Sequence, residues 1–254
     1  MNIVLTGASS GLGAALARDY AAPGTHLTLI GRNADRLGAV AADCRTRGGT
    51  VTTLILDITD AARTEAALSA ADDRHPTDLL IACAGIAAAR ETPEDARRIT
   101  DTNVIGLLNT LQPLVPRMAA RGRGQIGVVS SLAGFRALGG PAAYAASKAF
   151  ARVYAEALRG RLAGQGVGVS AICPGFIDTP MIDPRTRATQ RLVPAARAAR
   201  LIRRGLAANA ARISFPAAMA VQVWWLATAP LVWTDRRIRA RWRAAQRGGS
   251  GGLG

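Results

Sequence analysis

Six short, nearly continuous apolar runs punctuate the chain: Ile3 to Leu5, Leu27 to Ile30, Val51 to Leu56, Leu79 to Ala82, Ile126 to Val129 and Val167 to Ile172. Stretches of helix length separate them. A strand solvated on one face alternates apolar and polar side chains; these runs do not, so both faces of each are expected to be covered. Such strands alternating with helices predict parallel βαβ units. A further strand is expected at Arg212 to Phe215, where the chain reads "RISF". The pattern predicts the α/β class: a single doubly wound parallel sheet of about seven strands with helices on both faces. No internal repeat is visible.

Composition narrows the class. The chain has 254 residues, 49% hydrophobic and 19% charged, which suits one large globular domain rather than a disordered chain. "MNIVLTG" enters a strand with no basic leader before it, so a cytoplasmic protein is expected. Cys44, Cys83 and Cys173 are widely spaced and form no C-x-x-C, which predicts reduced thiols rather than a disulfide framework or zinc site. His26 falls in a strand and His75 in a polar loop, which argues against a Ser-His-Asp hydrolase or a histidine-bound metal.

The net charge of +15 is concentrated at one end. Residues 1 to 180 carry 18 basic and 15 acidic side chains, whereas residues 181 to 254 carry 14 arginines against Asp183 and Asp235. Basicity therefore belongs to the C-terminal segment and not to the main fold. The expected organisation is a nucleotide-binding and catalytic domain over 1–212, whose residues 181–212 form a substrate loop and basic helix. An apolar and basic extension over 213–247 and a flexible glycine-rich tail over 248–254 follow.

The first strand runs into "TGASSGLG", Thr6 to Gly13, with a helix expected to begin near Leu12. Gly7, Gly11 and Gly13 permit a tight turn and close backbone approach to a pyrophosphate. The helix N-terminus then offers free N–H groups and a positive dipole to the anion. Strand two ends in Gly31 and Arg32, where an acid would hold a free ribose 2′-hydroxyl; the arginine suits a 2′-phosphate, so NADP(H) is favoured over NAD(H).

Lys148 is the single lysine among 32 basic side chains. It follows Tyr144 by four residues in an alanine-rich stretch, "YAASK", so phenol and ammonium share a helix face. A cation there is expected to lower the tyrosine pKa and make Tyr144 a proton donor to a developing alkoxide. A planar guanidinium is a poor substitute for a compact ammonium in that place.

With the glycine turn, "VVSSLAG" after strand five and "YAASK" beyond it, the chain resembles the short-chain dehydrogenase/reductase family across roughly residues 2 to 180. The resemblance implies a Rossmann-like fold and a catalytic set of Asn103, Ser131, Tyr144 and Lys148, with Ser130 as the alternative to Ser131 one residue out of register. It implies cofactor contacts from Thr6, Gly7, Ser9, Ser10, Gly11, Leu12 and Gly13 in the first turn, Asp57 beside the adenine, and Ala84 and Gly85 after strand four. Tyr144, Lys148, Pro174, Gly175, Ile177 and Thr179 complete that set, with Arg32 from the charge argument. Lys148 is implied to hold the nicotinamide ribose and Asn103 a water beside it. A homodimer or homotetramer acting on a small carbonyl or alcohol is implied as well.

Two departures stand out. The family's N-N-A-G is here "ACAG", Ala82 to Gly85, which leaves packing beside the cofactor open, and the usual C-terminal ending is absent. In its place, Ile213 to Thr234 is uncharged over 22 positions and includes Trp224, Trp225 and Trp233, ahead of "DRRIRARWRAAQR". The run is compatible with a helix packed on the domain or a partner subunit, or with a peripheral element on an anionic membrane, which would place the protein at the membrane's inner face. Nucleic acid is not expected, because aromatics cluster apart from the arginines. Two functions remain open: an NADPH-dependent oxidoreductase acting on a lipid-linked, acyl or sugar carbonyl, or a non-catalytic NADP(H) sensor.

Overall fold

The computed structural model describes residues 1–88, 91–137, 141–230 and 232. The chain runs β1 (Asn2–Thr6), α1 (Gly11–Tyr20), β2 (His26–Gly31), α2 (Ala34–Thr46), β3 (Thr50–Ile55), α3 (Ala61–Arg74) and β4 (Leu79–Ala82). It continues with α4 (Pro93–Thr100), a π-helical turn (Asp101–Ile105), α5 (Gly106–Leu111), α6 (Val115–Ala120), β5 (Gly124–Val129), α7 (Ala142–Leu162) and β6 (Val167–Pro174). β7 (Ile177–Asp178), α8 (Pro184–Thr189), β8 (Val193–Pro194), α9 (Ala195–Ala207), β9 (Arg212–Phe215) and α10 (Ala217–Thr228) complete it.

Seven strands form one sheet in the order β3-β2-β1-β4-β5-β6-β9, and every pairing is parallel. Because strands alternate their side chains between faces, β1 sends Ile3 and Leu5 into one layer and Val4 into the other. On the first face Leu16, Leu37 and Ile202, from α1, α2 and α9, close the core; on the second, Leu68, Leu111 and Leu158 do so from α3, α5 and α7. Each fully buried aliphatic of this kind contributes about 1.5–3 kcal/mol. The order reverses between β2 and β4 around β1, which opens a crevice at the carboxyl ends of the strands.

α9 explains part of the basic segment. Ala198, Ala199, Ile202 and Leu206 are buried at helical spacing, while Arg197, Arg200 and Arg204 face water. Arg203 reaches back to donate to the Asp19 carbonyl at 2.8 Å. A second polar tie pins α3 to the end of α6. Arg121 forks onto Asp72 at 2.6 and 3.0 Å, and the same carboxylate accepts from Thr77 N at 2.8 Å.

Two features differ from the sequence expectation. β3 lies at the sheet edge, starts at Thr50 and leaves Ile55 exposed, because an edge strand lacks the neighbour that would cover it. The segment expected as a loop after Met181 holds α8, capped by Asp183 on Thr186 N, and β8, which pairs in parallel with β7. The strand expected at Arg212 to Phe215 is present at those bounds. β9 pairs with β6 from Arg212 to Phe215, and α10 packs on the α7 layer through Ala220 and Val223. Among the described residues no helix is long and apolar enough to cross a membrane. Trp233, the arginine run 236–247 and the tail 248–254 lie outside the described residues.

Candidate active site

The first turn is wound tightly. Gly7 and Gly11 have φ of +69° and +53°, and a Cβ on Gly7 would stand 2.8 Å from Ala84 Cα. One on Gly13 would lie 2.1 Å from the Gly7 carbonyl oxygen, so α1 begins hard against the turn. Ser10 precedes α1 in extended conformation and makes no side-chain cap, leaving the first N–H groups to face the crevice. Thr6 lies behind the turn rather than on the crevice wall; its hydroxyl accepts from Cys83 N at 3.1 Å and Ala84 N at 3.2 Å. That bond joins the ends of β1 and β4 and satisfies the "ACAG" backbone.

A cleft of about 370 Å³ extends from this turn in both directions. Towards β2 it is lined by Gly31, Arg32, Asn33, Arg36 and Asp57. A Cβ on Gly31 would sit 3.1 Å from Ser9, so a side chain there would press on the turn. Asp57 accepts from Thr59 N and Oγ1 at 3.0 and 2.9 Å and stands 3.5 Å from Arg32. Burial alone would raise its pKa; the Thr59 bonds and the Arg32 charge outweigh that and hold it below the ordinary carboxylate value. Arg36, held by the Asn33 cap on its N–H at 2.8 Å, was not foreseen. The only sequence signal was its position four residues after Arg32.

Towards β5 and α7 the cleft is lined by Ser131, Tyr144, Lys148, Pro174, Gly175, Ile177 and Thr179, with Ser9, Ser10, Gly11, Leu12, Ala84 and Gly85 between. Ser131 and Tyr144 both line this part of the cleft, and the Ser131 hydroxyl donates to the Pro174 carbonyl at 3.4 Å. Ser130 points elsewhere: buried, it donates to the Lys148 carbonyl at 2.6 Å, so Ser131 is the hydroxyl beside the phenol. Lys148 is 6% exposed and donates to the Val129 carbonyl at 3.0 Å, its Nζ 5.8 Å from the Tyr144 ring centre.

The electrostatics correct one expectation. Burial raises the Tyr144 pKa, opposed only by the nearby Ser131 hydroxyl, where the i,i+4 cation was expected to lower it. Burial likewise lowers the Lys148 pKa. With its ammonium turned to Val129, the lysine does not reverse the cost of burying a phenolate. Tyr144 is thus held in its protonated form. Cys83 and Cys173 are free thiols raised by burial to about 11.

Asn103 sits in the π-helical turn behind Gly85, not on the cleft wall. Its Oδ1 accepts from Ile86 N at 2.8 Å, and its Nδ2 donates to Ile86 O at 2.9 Å and to Ser147 Oγ at 3.0 Å. Ser147 in turn donates to the Tyr144 carbonyl at 2.8 Å. A Cβ on Gly85 would fall 3.2 Å from both Asn103 Oδ1 and Lys148 Nζ, so glycine lets these two groups meet the backbone there. Ile86, Met181 and Ile182 add aliphatic lining to the cleft, Met181 being half-exposed.

A dinucleotide-sized crevice at the switch point of a doubly wound sheet, ending in a serine–tyrosine–lysine group, is the mark of a nicotinamide-dependent oxidoreductase of Rossmann type. The short chain dehydrogenase model matches residues 1–190, and the chain belongs to the short-chain dehydrogenase/reductase family, whose members act on CH–OH and C=O groups. It is 40% identical over 223 residues to an uncharacterized oxidoreductase of Myxococcus xanthus, covering 86% of this chain and 88% of that one. It is 36% identical over 194 residues to serine 3-dehydrogenase of Agrobacterium fabrum, covering 74% and 76%. Its fold superposes on a short-chain dehydrogenase from Sphingobium yanoikuyae in complex with NADPH with a TM-score of 0.79 and 25% identity, over 100% and 96% of the two chains. A 3-oxoacyl-[acyl-carrier protein] reductase from Brucella melitensis with bound NAD gives 0.74 and 25%, over 84% and 88%.

Proposed function

We propose that the chain is an NADPH-dependent reductase of apolar ketones or aldehydes, with Ser131, Tyr144 and Lys148 as its reacting group. The observation that carries this reading is that Ser131 and Tyr144 line one cleft together, one helical turn from a buried lysine. When bound in the cleft, a nicotinamide cofactor would supply the hydride. Tyr144, kept protonated by burial, donates its proton to the oxygen that becomes the alcohol, and Ser131 hydrogen-bonds the same oxygen. Lys148, which donates to the Val129 carbonyl, would hold the ribose hydroxyls of a bound cofactor, and Asn103 fixes the Ile86 backbone beside the cleft. A sensor would need only the glycine turn and would leave the tyrosine group without a use.

Arg32 and Arg36 support NADPH, since both line the adenine end beside Gly31 and can meet a 2′-phosphate. The aliphatic lining supports an apolar substrate: among the described lining residues, charged side chains other than Lys148 all lie at the adenine end. The test is consumption of NADPH and of NADH against long-chain ketones and sugar ketones. Faster turnover of sugar ketones, or equal use of both cofactors, contradicts the respective part. Self-association as a homodimer or homotetramer is supported by exposed Ile105 and Val153 on the helices around the site, and light scattering decides it.

A further inference from the structure

α10 turns an uncharged face to water. Ala220 and Val223 bury its inner side, while Val221 is 54% and Trp225 77% exposed, with Ala217, Ala218 and Gln222 exposed beside them. Val221 and Trp225 are i and i+4, so they project together. Trp224, 39% exposed, leans on Phe135 with ring centres 6.2 Å apart and lies 5.7 Å from the Arg212 guanidinium. A contiguous apolar face of this kind on a helix without charge marks a contact surface.

Charge and tryptophan identify the occupant. All four tryptophans of the chain fall between Trp224 and Trp242, and the sequence just after α10 carries six arginines from Arg236 to Arg247 against Asp235 alone. Tryptophan favours the headgroup level of a bilayer, and each arginine near an anionic surface strengthens binding roughly fivefold. No described helix can span a bilayer, so the helix would lie on its surface.

We infer that the outer face of α10, with the arginine-rich sequence that follows it, docks the protein on an anionic lipid bilayer. The placement suits the proposed substrate without depending on it. On the inner side of the same helix, Met219 packs on Gly175 of the cleft wall, where a Cβ would lie 2.7 Å from its sulfur, so docking sets the cleft beside the membrane.

The experiment is co-sedimentation of the full chain with phosphatidylcholine vesicles, with and without phosphatidylglycerol, at low and high salt. It is read separately from activity. Two variants accompany it: Val221→Ser/Trp225→Ser, whose side chains are exposed and should not unfold the domain, and Arg236→Gln/Arg237→Gln/Arg239→Gln. The wild type should pellet with phosphatidylglycerol vesicles at low salt and be released by high salt, with tryptophan emission shifted to the blue. Each variant should lose at least about tenfold in vesicle affinity, consistent with the loss of several interfacial side chains. Wild-type protein left in the supernatant overturns the proposal, as does unchanged binding of the α10 variant or equal binding to phosphatidylcholine alone. Absent vesicle binding, a drop in particle mass in the α10 variant assigns the face to a second copy of the chain. Salt-sensitive retention on single-stranded RNA would instead assign the segment to nucleic acid.

Discussion

Lys148 directs its ammonium at the carbonyl of Val129, 3.0 Å away, from a buried position on α7. The space is small. A Cβ on Gly85 would come within 3.2 Å of Nζ, and one on Gly134 within 2.6 Å of the Lys148 carbonyl carbon, so two glycines bound the lysine from both sides.

The fit predicts that Lys148→Arg is damaging despite conserving charge. A guanidinium is larger and planar, and must displace the Gly85 wall or leave Val129. We expect kcat to fall by about 10²-fold or more, as for a misplaced reacting group. Steady-state kinetics of the folded variant decide it, and a kcat near wild type contradicts the special role of the ammonium.

At the adenine end, Arg32→Ala and Arg36→Ala should each weaken NADPH by about 1–3 kcal/mol, the size of a charge-assisted bond, and leave NADH nearly unchanged. Titration of both cofactors by fluorescence gives the comparison. Equal weakening of the two would mean that neither guanidinium meets a 2′-phosphate.

Asn103→Ala should act through Ile86 rather than through the chemistry directly. Both amide atoms hold the Ile86 backbone, so the variant removes two part-buried hydrogen bonds, at about 1 kcal/mol each. Loss of thermal stability together with a higher KM is the expected result. Asn103→Asp restores only the acceptor and should recover part of the loss.

The Asp72–Arg121 fork gives a pH prediction. Burial alone would raise the Asp72 pKa, but the Arg121 and Thr77 bonds lower it overall. The stability these bonds contribute is therefore full above the unfolded carboxylate value of 3.8 and is lost as pH falls through the lower folded value. Arg121→Ala should cost about 2–4 kcal/mol at neutral pH, and the gap to wild type should close only in strong acid. Urea unfolding across pH measures it; a gap that closes already at pH values well above 3.8 contradicts the assignment.

The strands were legible because a strand covered on both faces leaves an unbroken apolar run, and β9 was read at its observed bounds. β7 and β8 were not, since two-residue strands leave no periodicity. The cleft-lining residues came from spacing and resemblance, but Thr6 and Asn103 prove to stand behind the wall, a distinction carried by side-chain direction alone. Arg36 was hidden because one arginine in a first helical turn looks like any solvated base. The sign of the Tyr144 shift was misread for another reason: i,i+4 spacing shows that two groups are neighbours, whereas burial depends on the whole fold.

The central claim is that Tyr144 gives the proton while its ring merely packs. The most direct measurement is NADPH oxidation by Tyr144→Phe with an apolar ketone that the wild type reduces, beside NADPH binding to the same variant. The account predicts a loss of about 10²–10⁴-fold in kcat, the usual worth of a positioned proton donor, with cofactor affinity largely kept. Turnover within a few fold of wild type would contradict it.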